Sequence, residues 1–180
     1  AGFDISHAQL LGMEQPVQGW RSSSWANGGF FNNIWQPGAI QFNNGFLNTT
    51  LSQCSGNCTG SGETFRYASG EYRTEAEAFL YGLVEARIRV ARGVGTVTTL
   101  FTYTGTPDHP DGQHDEIDFE MRGGCDEIQT NYYVNGHDSY ENALRNPPSG
   151  INTCADYHLY AFAVTPRELV WYLVGNEIRR

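Results

Sequence analysis

Three carboxylates alternate with apolar side chains in the segment 114–121, His-Asp-Glu-Ile-Asp-Phe-Glu-Met. The acids are Glu116, Asp118 and Glu120. Because residues two apart in a strand share one face, a strand here would project these acids from one side of a sheet and direct three apolar groups into a core. Like charges in a row repel one another, so the pattern indicates a face whose chemistry needs acids.

The spacing of the two glutamates suits glycoside hydrolysis. Positions four apart on a strand lie roughly 13 Å apart at Cα. Side chains that lean together could bring the carboxyls to about 5–6 Å, near the ~5–5.5 Å of retaining enzymes and below the ~6.5–9.5 Å of inverting ones. The pattern therefore favours Glu116 and Glu120 as a retaining pair, with Asp118 tuning both, since a neighbouring carboxylate raises the pKa of the acid/base. The spacing alone is equally compatible with a solvated strand face or a calcium site.

The elements that must position these acids are predicted to be short strands. Helical periodicity is almost absent, and alternating or apolar runs are separated by Gly, Asn, Asp and Pro, which is typical of an all-β protein. Strands are predicted within 39–51, 82–90, 96–103, 127–134, 157–164 and 168–174, with turns at 43–45 and 175–176. Eight or more strands favour a β-sandwich or jelly roll. Segments 54–69 and 108–112 are predicted to be surface loops.

Composition narrows the class of protein. The 180 residues fit one globular domain with a substantial core. The net charge of −9 argues against nucleic acids and acidic membranes as partners. No run approaches the roughly 20 apolar residues that span a bilayer.

The cysteines indicate an oxidising compartment. Four cysteines allow three pairings; we favour Cys54–Cys58 because the two are close in sequence, which leaves Cys125–Cys154. No cysteine or histidine spacing fits a metal site. A secreted or extracellular protein is therefore expected.

The run 115–120, Asp-Glu-Ile-Asp-Phe-Glu, resembles the active-site strand of glycoside hydrolase family 16, a β-jelly-roll family that includes lichenases, laminarinases and xyloglucan transglycosylases. Its Glu-x-Asp-x-Glu spacing lacks the extra bulge residue of the laminarinase branch and resembles the lichenase and xyloglucan branches. Further similar blocks occur in the same order at 25–32, 71–73, 81–85, 102–105, 131–136, 160–162 and 171–172. The resemblance implies an all-β jelly-roll sandwich of two antiparallel sheets with a concave substrate cleft.

The resemblance also implies roles for individual residues. Carried over by position, Glu116 is the nucleophile, Asp118 the helper and Glu120 the acid/base. The implied substrate-binding residues are Trp25, Asn27, Phe31, Glu71, Arg73, Tyr103, His114, Asn131 and Tyr133. Polar members of this set can hydrogen-bond sugar hydroxyls, and aromatic members offer flat apolar faces. Each also has an ordinary structural reading, as a core aromatic or a same-face strand pair.

This chain departs from the family pattern in residues that distinguish the branches of the family and in its length. His114 stands where lichenases usually carry Trp, which is closer to the xyloglucan transglycosylase form, and Trp25 replaces a usual Tyr. Family domains continue for several strands beyond Arg180, so we expect one domain over 1–180 that lacks C-terminal strands, which a second chain or fragment could supply. No cofactor is required, and a structural calcium ion, found in many members with ligands from both chain ends, is compatible with the resemblance.

The expected function is that of a retaining endo-β-glucanase that hydrolyses the polysaccharide β-1,3-1,4-glucan. One alternative is a xyloglucan endotransglycosylase or hydrolase, which shares the chemistry up to the glycosyl-enzyme. An alternative of another class is a lectin-like module that binds glucan without cutting it, because fold alone does not imply catalysis.

Overall fold

The computed structural model describes residues 12–26, 31–60, 62–75, 80–104, 114–138 and 143–180. Across these residues the chain forms sixteen strands and one short 3₁₀ helix, Pro37–Ala39, so the predicted all-β class is confirmed. No helix in these segments is long and apolar enough to cross a membrane. The described residues of Asp4–Glu77 form one compact unit and those of Ala78–Arg180 form another.

The first unit contains three small sheets. Its strands are β1 (Trp20–Ser22), β2 (Asn33–Trp35), β3 (Ile40–Asn43), β4 (Phe46–Thr49), β5 (Leu51–Gly60), β6 (Glu63–Ser69) and β7 (Tyr72–Thr74). The sheets are β1–β7, β3–β4 and β2–β6–β5, and only the β2–β6 pairing among them is parallel. The turn predicted at 43–45 is present between β3 and β4, where Asn44 and Gly45 both have positive φ, as a tight hairpin turn requires.

The surface loop predicted over 54–69 is wrong. This segment belongs to the antiparallel pair β5–β6, whose register shifts between Gln53 and Cys58. The polar and Gly-rich residues of β5 fall in this irregular stretch, where few side chains need to pack. Phe65 and Ala68 of β6 are buried against Ile34. These few buried apolar side chains hold β6 in place, although the composition of the segment does not predict a strand. The other predicted loop, 108–112, lies outside the described residues.

The second unit contains two antiparallel sheets. The β10 sheet has the order β12–β11–β10–β9, with β13 also paired to β11, and the β14 sheet has the order β16–β15–β14–β8. The strands are β8 (Gly82–Ile88), β9 (Val97–Tyr103), β10 (Glu116–Arg122), β11 (Ile128–Val134), β12 (His137–Asp138), β13 (Ala143–Arg145), β14 (His158–Val164), β15 (Leu169–Leu173) and β16 (Asn176–Arg179). All the strands predicted in this part of the chain are present. The final turn lies at Val174–Gly175 instead of 175–176, and Asn176 already begins β16.

The core of the second unit is built from the inward faces of these strands. Phe119 and Met121 of β10 pack with Phe162 of β14 and with Trp171 and Leu173 of β15, and all are essentially inaccessible to solvent. Burial of each such side chain contributes about 1.5–3 kcal/mol. The apolar residues of the acidic segment therefore anchor β10 as the alternation predicted.

Two disulfides have the pairing favoured from the sequence. Cys54 bonds Cys58 within β5, and Cys125 bonds Cys154. The second bond joins the turn after β10 to the segment that leads into β14, so it ties the two sheets of the second unit together.

Candidate active site

One face of the β10 sheet carries all three acids. Directly opposed residues on antiparallel strands share a face, and the register of β10 with β9 and β11 fixes those neighbours. The pairs are Glu116 with Tyr103 and Tyr133, Asp118 with Phe101 and Asn131, and Glu120 with Thr99 and Gln129. We call these nine residues the acid face. The structure thus places three predicted substrate-binding residues, Tyr103, Asn131 and Tyr133, beside the acids.

The core side of β10 holds the acid face in place. Phe119 and Met121 are fully buried beneath it. The Trp171 indole Nε1 donates a buried hydrogen bond of 3.0 Å to the carbonyl oxygen of Asp118. The backbone of the central acid is therefore bonded to the opposite sheet as well as to its strand neighbours.

Asp118 is the most deeply buried of the three acids, at 7% exposure. Burial, the adjacent Glu116 carboxylate and a hydrogen bond with Glu116 raise the pKa of Asp118 to about 9, and Glu120 and Asp138 add to the shift. Asp118 therefore holds a proton at neutral pH and donates it in a hydrogen bond to Glu116.

Glu116 and Glu120 are less buried. Burial raises the pKa of Glu116, but the hydrogen bond from Asp118 and the nearby His114 lower it. Burial also raises the pKa of Glu120; Arg122 lowers it, and the Glu116 charge raises it further. The pKa values of both glutamates are thus raised, but Glu116 has two hydrogen-bonding neighbours, Asp118 and His114, that favour its charged form.

His114 is another predicted substrate-binding residue. It lies two positions before Glu116, the first residue of β10, and contacts the acid face. Its Nε2 lies 3.1 Å from Oε2 of Glu116. The imidazole stacks on Tyr103, with ring centroids 4.6 Å apart, and its centroid is 5.2 Å from that of Tyr133. The ring is therefore held by aromatic side chains from both strands that flank β10.

The remaining predicted substrate-binding residues belong to the first unit. The guanidinium of Arg73 lies 4.4 Å from the centre of the Trp25 ring, and its Nε is 4.0 Å from Oε1 of Glu71. Ser23 donates a short hydrogen bond to the same carboxyl. Burial raises the pKa of Glu71, while Ser23 and Arg73 lower it. Phe31 is 43% exposed, and Asn27 lies outside the described residues.

The sequence analysis missed two residues on or near the acid face and one in the first unit. Gln129 shares a strand face with Asn131, and the alternation of β11 could have found it once that strand was aligned with β10. Asp138 acts on Asp118 electrostatically from β12, a strand of two residues that carries no recognisable period. Ser23, which bonds Glu71, shows no signal at all in the sequence.

Within the described ranges, no three His, Cys, Asp or Glu side chains form a group that could hold a metal ion. The calcium ion compatible with the family resemblance stays a prediction. The carboxyls of the acid face are suited to nucleophilic attack by one and proton transfer by another.

Comparison with known proteins identifies relatives along most of the chain. The family model for glycosyl hydrolases family 16 matches residues 27–180. A β-glucanase of Acetivibrio thermocellus is 37% identical over 162 residues, which cover 89% of this chain and 45% of that protein. A β-glucanase of Paenibacillus polymyxa is 33% identical, with 89% of this chain and 65% of that protein covered. The chain thus spans about half the length of the curated relatives it matches.

Solved structures show the same fold. A prokaryotic β-1,3-1,4-glucanase (lichenase) derived from a mouse hindgut metagenome superposes with a TM-score of 0.81 at 32% identity, covering 94% of this chain and 76% of that one. The Bacillus licheniformis β-glucanase gives a TM-score of 0.76 at 29% identity, covering 92% of this chain and 72% of that one. These likenesses confirm the jelly-roll class.

Proposed function

Because the chain belongs to glycosyl hydrolases family 16, we propose that it is a retaining endo-β-glucanase that cleaves β-1,3-1,4-glucan. The observation that carries this proposal is the acid face, where Glu116, Asp118 and Glu120 lie on one side of β10 beside Tyr103, Asn131 and Tyr133. The names of the relatives, β-glucanase and lichenase, support the substrate.

In the proposed first step, an oxygen of the Glu116 carboxylate attacks the anomeric carbon of the sugar. The bond from that carbon to the leaving oxygen breaks, and the proton of Glu120 passes to this oxygen. Burial raises the pKa of Glu120 without the offsetting hydrogen bonds that Asp118 and His114 make to Glu116; this difference supports Glu120 as the acid, which must be protonated when the sugar arrives.

In the second step, Glu120 has become a base. It removes a proton from water, whose oxygen attacks the same anomeric carbon and displaces Glu116. Both carboxyls then return to their starting forms. Asp118 donates a hydrogen bond to Glu116 and so stabilises its charge when it attacks and again when it leaves.

Substrate contacts are proposed for the aromatic and polar neighbours of the acids. Tyr103, Asn131 and Tyr133 share the acid face and would contact the sugars beside the scissile bond. Gln129 lies opposite Glu120 and can donate to a hydroxyl. In the first unit, Trp25 and Arg73 form a stacked pair; together with Asn27, Phe31 and Glu71 they remain proposed subsite residues.

Two substitutions test the assignment of the acids. Glu116→Gln should abolish release of reducing ends from barley-type β-glucan with the fold intact. Glu120→Gln should lose activity on the polysaccharide by about 10²–10⁴-fold; with an aryl β-glucoside whose leaving phenol needs no protonation, it should still release a burst of phenol, followed by slow turnover because the second step lacks its base. Near-wild-type turnover of the polysaccharide by either variant would refute the assignment.

A second candidate activity is transfer to, or hydrolysis of, xyloglucan. The observation that favours this activity is His114: a histidine at this position resembles the xyloglucan transglycosylase form, whereas lichenases usually carry Trp there. Incubation with labelled β-glucan and xyloglucan oligosaccharides would separate the two, because transfer yields labelled longer products and hydrolysis does not. Binding to glucan without any new reducing ends would instead indicate a lectin-like module.

We also propose that the protein is secreted and that its residues form one catalytic domain. The two disulfides support an oxidising compartment. The family match across 27–180 extends over both compact units, which supports one domain. A single cooperative unfolding transition, and the absence of titratable thiols in the native protein, would test these points.

A further inference from the structure

We propose that His114 is a positioning residue for Glu116, which it orients through a hydrogen bond and, when protonated, stabilises through its charge. This inference rests on the function proposed above, in which Glu116 is the nucleophile. It gives His114 a role distinct from the sugar contact that the family resemblance implies.

The imidazole is fixed in a way that presents its polar edge to Glu116. Tyr103 from β9 and Tyr133 from β11 engage the ring, so these tyrosines occupy the surfaces on which a sugar would otherwise stack. The backbone is also held, because the amide of Gly136 donates a 2.7 Å hydrogen bond to the His114 carbonyl oxygen. The side chain is only 17% exposed.

The contact engages one of the two carboxylate oxygens. Nε2 lies 3.1 Å from Oε2 of Glu116, at the distance of a charge-assisted hydrogen bond. Asp118 also hydrogen-bonds this carboxyl. A nucleophile held by two donors loses little freedom when it attacks, and this preorganisation lowers the barrier.

His114 differs in charge type from the other titratable side chains that the structure describes near Glu116. Asp118 and Glu120 on β10 and Asp138 on β12 are acids. Tyr103 and Tyr133 are neutral near pH 7, and burial and nearby acids raise their pKa values further. His114 contacts the Glu116 carboxyl, and its electrostatic interaction and hydrogen bond lower the pKa of Glu116. Without it, Glu116 would remain protonated to a higher pH.

Two substitutions of His114 separate positioning from packing. His114→Phe keeps an aromatic ring between the tyrosines and removes the donor and the charge. His114→Gln restores a donor without the charge. The exposed His137 of β12 supplies the matched control, His137→Phe, which should leave kcat, KM and the pH profile unchanged.

With an aryl β-glucoside oligosaccharide as substrate, His114→Phe should lower kcat roughly 10-fold or more, the effect of losing a hydrogen bond to a charged group, with little change in KM. The acidic limb of its kcat/KM profile should move to higher pH, because that limb reports the ionisation of Glu116 in the free enzyme. His114→Gln should recover much of kcat and keep the shifted limb.

Wild-type kcat and an unshifted limb in His114→Phe would overturn the proposal, and a raised KM with unchanged kcat would assign the ring to sugar binding instead. Thermal unfolding checks each variant; if the Phe variant unfolds, an unshifted limb in His114→Gln overturns the proposal. Glu116→Gln is measured in parallel. If it remains active, the proposed function has failed; if it is inactive while His114→Phe behaves as wild type, only this inference has failed.

Discussion

Asp118, Glu116 and Glu120 are residues of similar chemistry on one strand, yet their surroundings give them different properties. Asp118 is buried, bonded to Glu116 and next to further acids, so its pKa is about 9. Glu116 receives donors from Asp118 and His114. Glu120 lies beyond them, near Arg122. The proposed separation of roles thus relies on differences in burial and partners, as in other two-carboxyl sites.

The raised pKa of Asp118 predicts how stability depends on pH. The folded state keeps a proton that the unfolded chain releases above its ordinary pKa of 3.8, so this group makes stability fall as pH rises from about 4 to about 9, by at most ~1.4 kcal/mol per pH unit. Asp118→Asn removes the titration and keeps a donor toward Glu116. Urea unfolding at pH 5 and pH 8 should show a smaller loss of stability in Asp118→Asn than in the wild type. Equal losses in the two proteins would mean that Asp118 is ionised when folded.

At the residue level, the sequence predicted which side chains share a face wherever a strand has a clear period. The alternation in 114–121 placed the three acids together, and the resemblance added Tyr103, Asn131 and Tyr133, which the register confirms as neighbours of the acids. The sequence also predicted that Asp118 influences its neighbours, as it does for Glu116. The contact of His114 with Glu116 could not be predicted, because it depends on side-chain geometry.

At the level of elements, β10 is held between a polar face and an apolar core. The indole of Trp171 on β15 bonds the Asp118 carbonyl oxygen, and its ring packs in the core with Phe119 and Met121. A change in the β14 sheet can therefore move the acids without contact to any of them.

Trp171→Phe tests this coupling. The variant loses a buried hydrogen bond and leaves a cavity, so the free energy of unfolding should fall by about 2–4 kcal/mol. The activity of the folded fraction should fall as well, since the Asp118 backbone loses its tether. Tyr172→Phe, at the next position and partly exposed, is the matched control and should stay within about 0.5 kcal/mol of the wild type. Urea unfolding and kcat measured on the same preparations would check both; full activity in stable Trp171→Phe would contradict the coupling.

The strands that bury an apolar face were predictable from their period. β8, for example, alternates half-buried and exposed residues from Gly82 to Ile88, as the sequence indicates. The hairpin β5–β6 was not predictable, because its irregular register and Gly-rich composition hide the period and its buried apolar residues are few. The local sequence predicts which side chains are buried only where buried and exposed residues alternate regularly along a strand.

At the level of the whole molecule, the disulfides constrain segments of different length. Cys125 and Cys154 are 29 residues apart, whereas Cys54 and Cys58 are 4 apart. Removal of the longer cross-link by Cys125→Ala with Cys154→Ala should cost about 3.5 kcal/mol, against about 2 kcal/mol for Cys54→Ala with Cys58→Ala, because a longer loop gains more entropy in the unfolded state. Thermal and urea unfolding of the two double variants would measure the difference. A larger loss for the short loop would show that native-state contacts of the Cys54–Cys58 bond outweigh the difference in chain entropy.

The family match extends over residues 27–180. In the proposed mechanism, hydrolysis proceeds through a covalent bond between the sugar and Glu116. The most direct test is to incubate the protein with a 2-deoxy-2-fluoro-β-glucosyl oligosaccharide that carries an activated leaving group, and to locate the adduct by tandem mass spectrometry. If Glu116 is the nucleophile, one glycosyl adduct should be found on Glu116, and it should be absent from Glu116→Gln. An adduct on another carboxylate, or active hydrolysis with inversion at the anomeric carbon and no adduct, would contradict it.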